Sequence, residues 1–214
     1  MDAGGKSVIY EIRTYTVKPG AVAEYEARFA EAYSVREKYS KMGGMWHTEI
    51  GPLNQVIHIW PYESLQQRAD IRAASAKDPS GKWPPKTMDL LVSQEVDILD
   101  AVPNMPAWGE PQRWGDLYEL RMYTYAPGDI GKVAAAFGEA LAGRAAIYPV
   151  AGIFTSQQGN LNRLYQLFPY KSWDHREEVR AAFRKAGVWP PHADARPVQQ
   201  LVRFMEPAPF SPLH

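Results

Sequence analysis

The chain has 214 residues, 45% of them hydrophobic, enough for one large domain or two small ones with a sizeable core. Its 24 Lys and Arg balance its 24 Asp and Glu, and neither half of the chain about Ala107 has the basic excess of a nucleic-acid binder. It lacks cysteine, which excludes disulfides, thiol nucleophiles and Cys-ligated metal centres, and no apolar run approaches the roughly 20 residues of a membrane span.

In chain order, Met1 to Lys6 has no apolar signal core, so a cytoplasmic address is expected. Residues 8–17 are rich in β-branched and aromatic side chains and stop at Pro19-Gly20, predicting a strand. Val22, Tyr25, Phe29, Tyr33 and Arg36 follow with helical spacing. Residues 45–50 and 55–60 flank the turn Gly51-Pro52-Leu53-Asn54 and predict a hairpin. Ser64 with Gln67 forms a capping box that opens a second helix. A Pro-rich loop and a closing strand over residues 90–99 complete the unit.

This unit then repeats at an offset of 108 residues. Tyr10-Glu11-Ile12-Arg13-Thr14-Tyr15-Thr16 returns as Tyr118-Glu119-Leu120-Arg121-Met122-Tyr123-Thr124. Arg36 matches Arg144, Gly44 matches Gly152, and Pro61-Tyr62 matches Pro169-Tyr170. From Tyr10 to Ala74, 23 of 65 positions are identical without a gap, a register that composition bias alone would not hold. The division is a first ferredoxin-like repeat over residues 8–100, a Pro/Gly-rich linker over 101–116 and a second repeat over 117–205. A βαββαβ unit leaves one sheet face bare, and a fused second copy covers it. The expected fold is therefore α+β: two tandem ferredoxin-like repeats closed into an α/β barrel.

Period-two alternation sorts the first strand into two faces. Val8, Tyr10, Ile12 and Thr14, the more apolar set, are expected beneath the helices. Glu11, Arg13 and Tyr15, with Glu119, Arg121 and Tyr123, are expected to point into the barrel as a polar-lined small-molecule pocket. The competing reading of these charges is a structural ion-pair layer, because buried charges must be compensated, and retention in both repeats favours it. The third strand breaks the symmetry: His58 becomes Gln166 and Trp60 becomes Phe168. His58 is the candidate acid or base, with Arg13 stabilising negative charge, Tyr15 donating a hydrogen bond, and Trp46 and Trp60 stacking on a ligand. A hydrogen-bonded strand histidine and a single axial haem ligand are the other readings of His58. Arg68, Arg72, Arg176 and Arg180 are expected on a solvated helix face. No metal-ligand spacing links the histidines, and neither metal nor cofactor is expected.

Tyr10-Glu11-Ile12-Arg13-Thr14-Tyr15, the run from Glu49 through Gly51-Pro52-Leu53-Asn54 to His58-Ile59-Trp60-Pro61-Tyr62, Arg68, Arg72 and Ser93-Gln94-Glu95 together resemble the NIPSNAP family of the dimeric α/β-barrel superfamily. The resemblance covers nearly all of the chain outside the tails and linker. It implies a barrel fold and a homo-oligomer, but no settled reaction. Members of the wider superfamily include cofactor-free monooxygenases, isomerases, dehydratases and haem enzymes. The expected role is thus a small-molecule-binding barrel. The alternatives are a cofactor-independent enzyme acting on a small aromatic or carbonyl compound through His58, and a protein-interaction scaffold.

Overall fold

The computed structural model describes residues 8–214, so the signal-free start read at Met1 to Lys6 lies outside the described residues. The first repeat runs β1 (Ile9–Val17), α1 (Val22–Arg36), β2 (Gly44–Ile50), β3 (Gln55–Tyr62), α2 (Leu65–Ala76) and β4 (Leu91–Ala101). The second runs β5 (Leu117–Thr124), α3 (Ile130–Ala145), β6 (Gly152–Gln158), β7 (Arg163–Tyr170), α4 (Trp173–Ala186) and β8 (Gln199–Pro207).

Local chemistry sets these boundaries. Ser64 and Ser172 each cap a helix, accepting from the backbone N–H of Gln67 and His175. Gly187 ends α4 in the left-handed conformation, φ +67°. The retained Leu-Asn turn has a backbone cause. Asn54 and Asn162 sit at φ +56° and +58°, a region that Asn tolerates better than most residues. Gly44 and Gly152 are retained for space, since an added Cβ would come within 2.2 Å of the Trp46 or Phe154 ring.

The eight strands close into one barrel in the order β1-β3-β2-β8-β5-β7-β6-β4, with antiparallel pairing throughout. Two seams join the repeats, β2 with β8 and β4 with β6. Inside, Tyr10, Ile12, Trp46, Ile57, Ile59 and Leu99 of the first repeat pack with Tyr118, Leu120, Phe154, Tyr165, Leu167 and Met205 of the second. Two further cores lie between the sheet and the helices, one under α1 and α2 and one under α3 and α4. Among the described residues, no helix is long and apolar enough to cross a membrane.

The faces of β1 are the reverse of the expectation. Tyr10 and Ile12 fill the barrel, whereas Glu11, Arg13 and Tyr15 lie beneath the helices, as do Glu119, Arg121 and Tyr123 in β5. The barrel interior takes the apolar set of β1 and β5, with Asp97 and Arg203 on the same face held by Tyr165 and Gln55. The helix layer can be reached by long cationic side chains of α2 and α4, so Glu11 and Glu119 go there.

Candidate functional site

The polar layer of the first repeat is organised by Glu11, which is fully buried. Its Oε1 accepts from Arg13 Nη1 at 2.6 Å and from Arg68 Nη2 at 2.5 Å. Arg72 Nη1 stands 3.9 Å from the same oxygen. Burial works to raise the Glu11 pKa, but the hydrogen bond from Arg68 and the neighbouring arginine charges win and hold it below the ordinary value. The second repeat repeats the design: Glu119 accepts from Arg121 Nε at 2.9 Å and from Arg176 Nε and Nη2 at 3.0 and 3.1 Å. The ion-pair reading of these residues therefore describes them. Arg68 and Arg176 are not solvated as expected; they turn inward to neutralise the strand carboxylates.

His58 lies on this same face, because β1–β3 pairing sets Arg13 opposite His58 and Glu11 opposite Trp60. The imidazole is 3% exposed and meets Tyr15 and Phe29 edge-on, at centroid distances of 5.1 and 5.3 Å. Trp60 Nε1 points at His58 Nδ1 from 2.6 Å. An indole N–H can only donate, so Nδ1 must accept, and the neutral ring carries its proton on Nε2. Nε2 is buried without a hydrogen-bond partner. Burial first, then the charges of Arg13 and Arg72, push the His58 pKa well below its ordinary value. In this arrangement His58 offers an N–H donor at Nε2, and its Nδ1 lone pair is engaged by Trp60.

The structure brings His58, Arg13, Tyr15, Glu11 and Trp60 together and separates them from Trp46. Trp46 pairs with Ile57 and faces the barrel core, so Trp46 and Trp60 cannot stack on one ligand. Glu119, Arg121 and Tyr123 belong to the other layer and do not converge with the first-repeat set. Tyr15 accepts from Arg13 Nε at 2.5 Å, and burial raises its pKa, so it keeps its proton. His47 turns away from His58 to Glu26, at 2.8 Å.

Two further arginines, one in each layer, were read from the sequence only as members of the helical stripe and the repeat, not as site residues. Arg36 lies under Trp60 and Trp83 and bonds Ser40 and Tyr62; Arg144 lies among Phe168, Phe183 and Trp189. The signal was present, since Arg36 continues the apolar helical stripe and recurs as Arg144. A cavity of about 1070 Å³ lies elsewhere, between the ends of α1 and α3, where residues 104–114 and 209–213 cross. Tyr33, Met105, Trp108, Trp114 and Phe210 line it, and none of the predicted site residues does.

A closed barrel of two fused ferredoxin-like units, with a buried ionic layer under each helix pair, defines a tandem member of the dimeric α/β-barrel class. A putative monooxygenase from Lactobacillus acidophilus shares this fold at a TM-score of 0.64 and 11% identity, with 94% of each chain covered. The chain belongs to the NIPSNAP family: the model of that family, described as NIPSNAP, matches residues 10–106 and again 118–212. It is 32% identical to mouse NipSnap homolog 3B over 95% of this chain and 85% of the relative. It is also 32% identical to the NipSnap homolog of Dictyostelium discoideum, over 86% and 79%.

Proposed function

We propose that this NIPSNAP barrel binds a small, neutral, carbonyl-bearing aromatic compound in the helix–sheet layer of its first repeat, and that it does so without acid–base turnover. The observation that carries the reading is the His58 Nε2–H, a buried donor with no acceptor, framed by Tyr15, Phe29 and Trp60. Leaving such a donor unsatisfied costs about 1–3 kcal/mol, which an incoming carbonyl oxygen would recover. The aromatic frame suits a flat apolar body. A pocket within the barrel itself is the weaker choice, because packed side chains from both repeats fill it. The 1070 Å³ cavity ranks lower too, because no unpartnered buried donor among the described residues lines it.

General-base catalysis by His58 is disfavoured by the same geometry, since the Nδ1 lone pair faces Trp60 and Nε2 holds the proton. Arg13 is committed to Glu11 and Tyr15, which makes it a positioning group. Any homo-oligomer of this unit would use its outer surface, because the closed barrel leaves no unpaired strand edge. The test is calorimetric titration with small aromatic ketones and with the matching hydrocarbons. Ketones should bind the wild type, more weakly His58→Gln, which keeps an N–H donor, and at least tenfold more weakly His58→Phe. Equal ketone affinity in His58→Phe would overturn the reading.

A further inference from the structure

The second repeat loses His58 but holds a different unanswered group. Arg144 is 1% exposed at the end of α3, with its guanidinium carbon 4.1 Å from the Phe168 ring centroid, 4.3 Å from Phe183 and 5.0 Å from Trp189. Its Nε and Nη2 close no hydrogen bond, although the Tyr170 hydroxyl stands close enough to support its charge, and Gln166 Nε2, two residues before Phe168 on the strand, is also without a partner. The first-repeat counterpart is satisfied: Arg36 Nη1 donates to Ser40 Oγ at 2.7 Å and to the Ser40 carbonyl at 3.2 Å, and Nη2 donates to Tyr62 Oη at 3.0 Å. At the matching position the second repeat carries Tyr148, whose hydroxyl donates to the Trp114 carbonyl instead. The second repeat thus lacks the Ser40 hydroxyl, while Tyr170, the counterpart of Tyr62, is kept beside Arg144.

The two orphaned nitrogens form one edge of the guanidinium fork, and the same layer shows what that edge binds. Arg176 places its own Nε and Nη2 on the two carboxylate oxygens of Glu119, at 3.0 and 3.1 Å. Arg121 and Arg176 pair with this buried carboxylate and Arg176 also reaches the exposed Glu177 at 2.5 Å, whereas Arg144 has no ion pair among the described residues, so its charge is left over in the layer. Burial lowers the Arg144 pKa to about 10, which still leaves it charged at neutral pH. All the orphaned groups of this layer are donors, and a neutral ligand would leave the charge uncompensated.

We infer that the helix–sheet layer of the second repeat is an anion site that takes a small arylcarboxylate, its carboxylate on the Arg144 fork and Gln166, its ring among Phe168, Phe183 and Trp189. Trp189, though buried, belongs to the stretch between α4 and β8 that has neither helix nor strand. The site stands apart from the His58 reading and does not depend on it.

Isothermal titration of the whole chain with benzoate, and with benzamide as its neutral isostere, tests the assignment. One benzoate per chain should bind, and at about a hundred times its Kd it should raise Tm by roughly 5–10 °C. Benzamide should bind at least tenfold more weakly. Arg144→Met should abolish the benzoate response, Arg144→Lys should weaken it at least tenfold by losing the fork, and His58→Phe should leave it unchanged. A wild type that ignores benzoate, or benzoate binding that survives Arg144→Met, overturns the proposal. If Arg144→Met does not fold, Gln166→Leu decides: weakened benzoate binding supports the site and unchanged affinity overturns it.

Discussion

His58 and His47 lie in one repeat, and their environments push them in opposite directions. His47 hydrogen-bonds Glu26, and that bond, against partial burial, raises its pKa; burial and two arginines lower that of His58. The unfolded chain therefore takes up a proton near pH 6.5 that folded His58 refuses, so His58 costs stability as pH falls below about 6.5. His47 behaves in the reverse sense. Its contribution is fully present below about 6.5 and is lost as pH rises through the higher folded value. Urea unfolding across pH 5 to 8.5 should separate them. His58→Gln should flatten the acid-side loss, and His47→Gln should cost more stability at pH 6 than at pH 8.5. An acid-side slope that His58→Gln leaves unchanged would mean that the ring is already protonated in the fold. The ionic layer makes a second claim at this scale. Glu11→Ala leaves Arg13 and Arg68 without their buried partner, and should cost about 3–5 kcal/mol in denaturant unfolding. Glu119→Ala should cost a similar amount if the two layers are equivalent.

At the scale of the element, the caps allow a cleaner measurement, because each rests on one named bond. Ser64→Ala and Ser172→Ala should each cost about 1 kcal/mol and should add in the double variant, since the two helices belong to different repeats. A double variant no worse than either single one would show that the helix ends fray in the native state. Strands, helices and caps of this kind were legible in the sequence because each rests on local chemistry: the capping box, the Leu-Asn turn, the period-two alternation of residues 8–17. Alternation divides a strand into two faces without saying what covers each. In β1 both faces are buried, so the rule that the more apolar side meets the helices had no solvent side to anchor it. What decides is which layer a charged side chain can reach from outside, and Arg68 reaches Glu11 from a helix 57 residues further along the chain. That partner cannot be read from β1 alone. The tautomer of His58 was hidden for a related reason. It depends on Trp60 two residues away, whose indole could as well have pointed elsewhere.

At the scale of the whole molecule, the repeat was legible and so was its consequence, a sheet that needs a partner. The shared barrel core makes this quantitative. Trp46 is fully buried and packs 5.3 Å, ring to ring, from Tyr118 of the other repeat. Truncating it to alanine should cost about 3–5 kcal/mol and should lower one cooperative transition, not that of the first repeat alone. The stronger test is to cut the chain within residues 105–112. Each half then exposes the face that carries Tyr10, Ile12 and Trp46, or Tyr118, Leu120 and Phe154. A four-stranded sheet with one bare apolar face is not stable as a monomer in water. Each half alone should therefore self-associate or aggregate. Mixing the two should yield a one-to-one complex with both seams, β2 to β8 and β4 to β6, restored. Analytical ultracentrifugation reads the stoichiometry. Soluble monomeric halves that ignore each other would mean that each repeat supports its own fold without the shared interior.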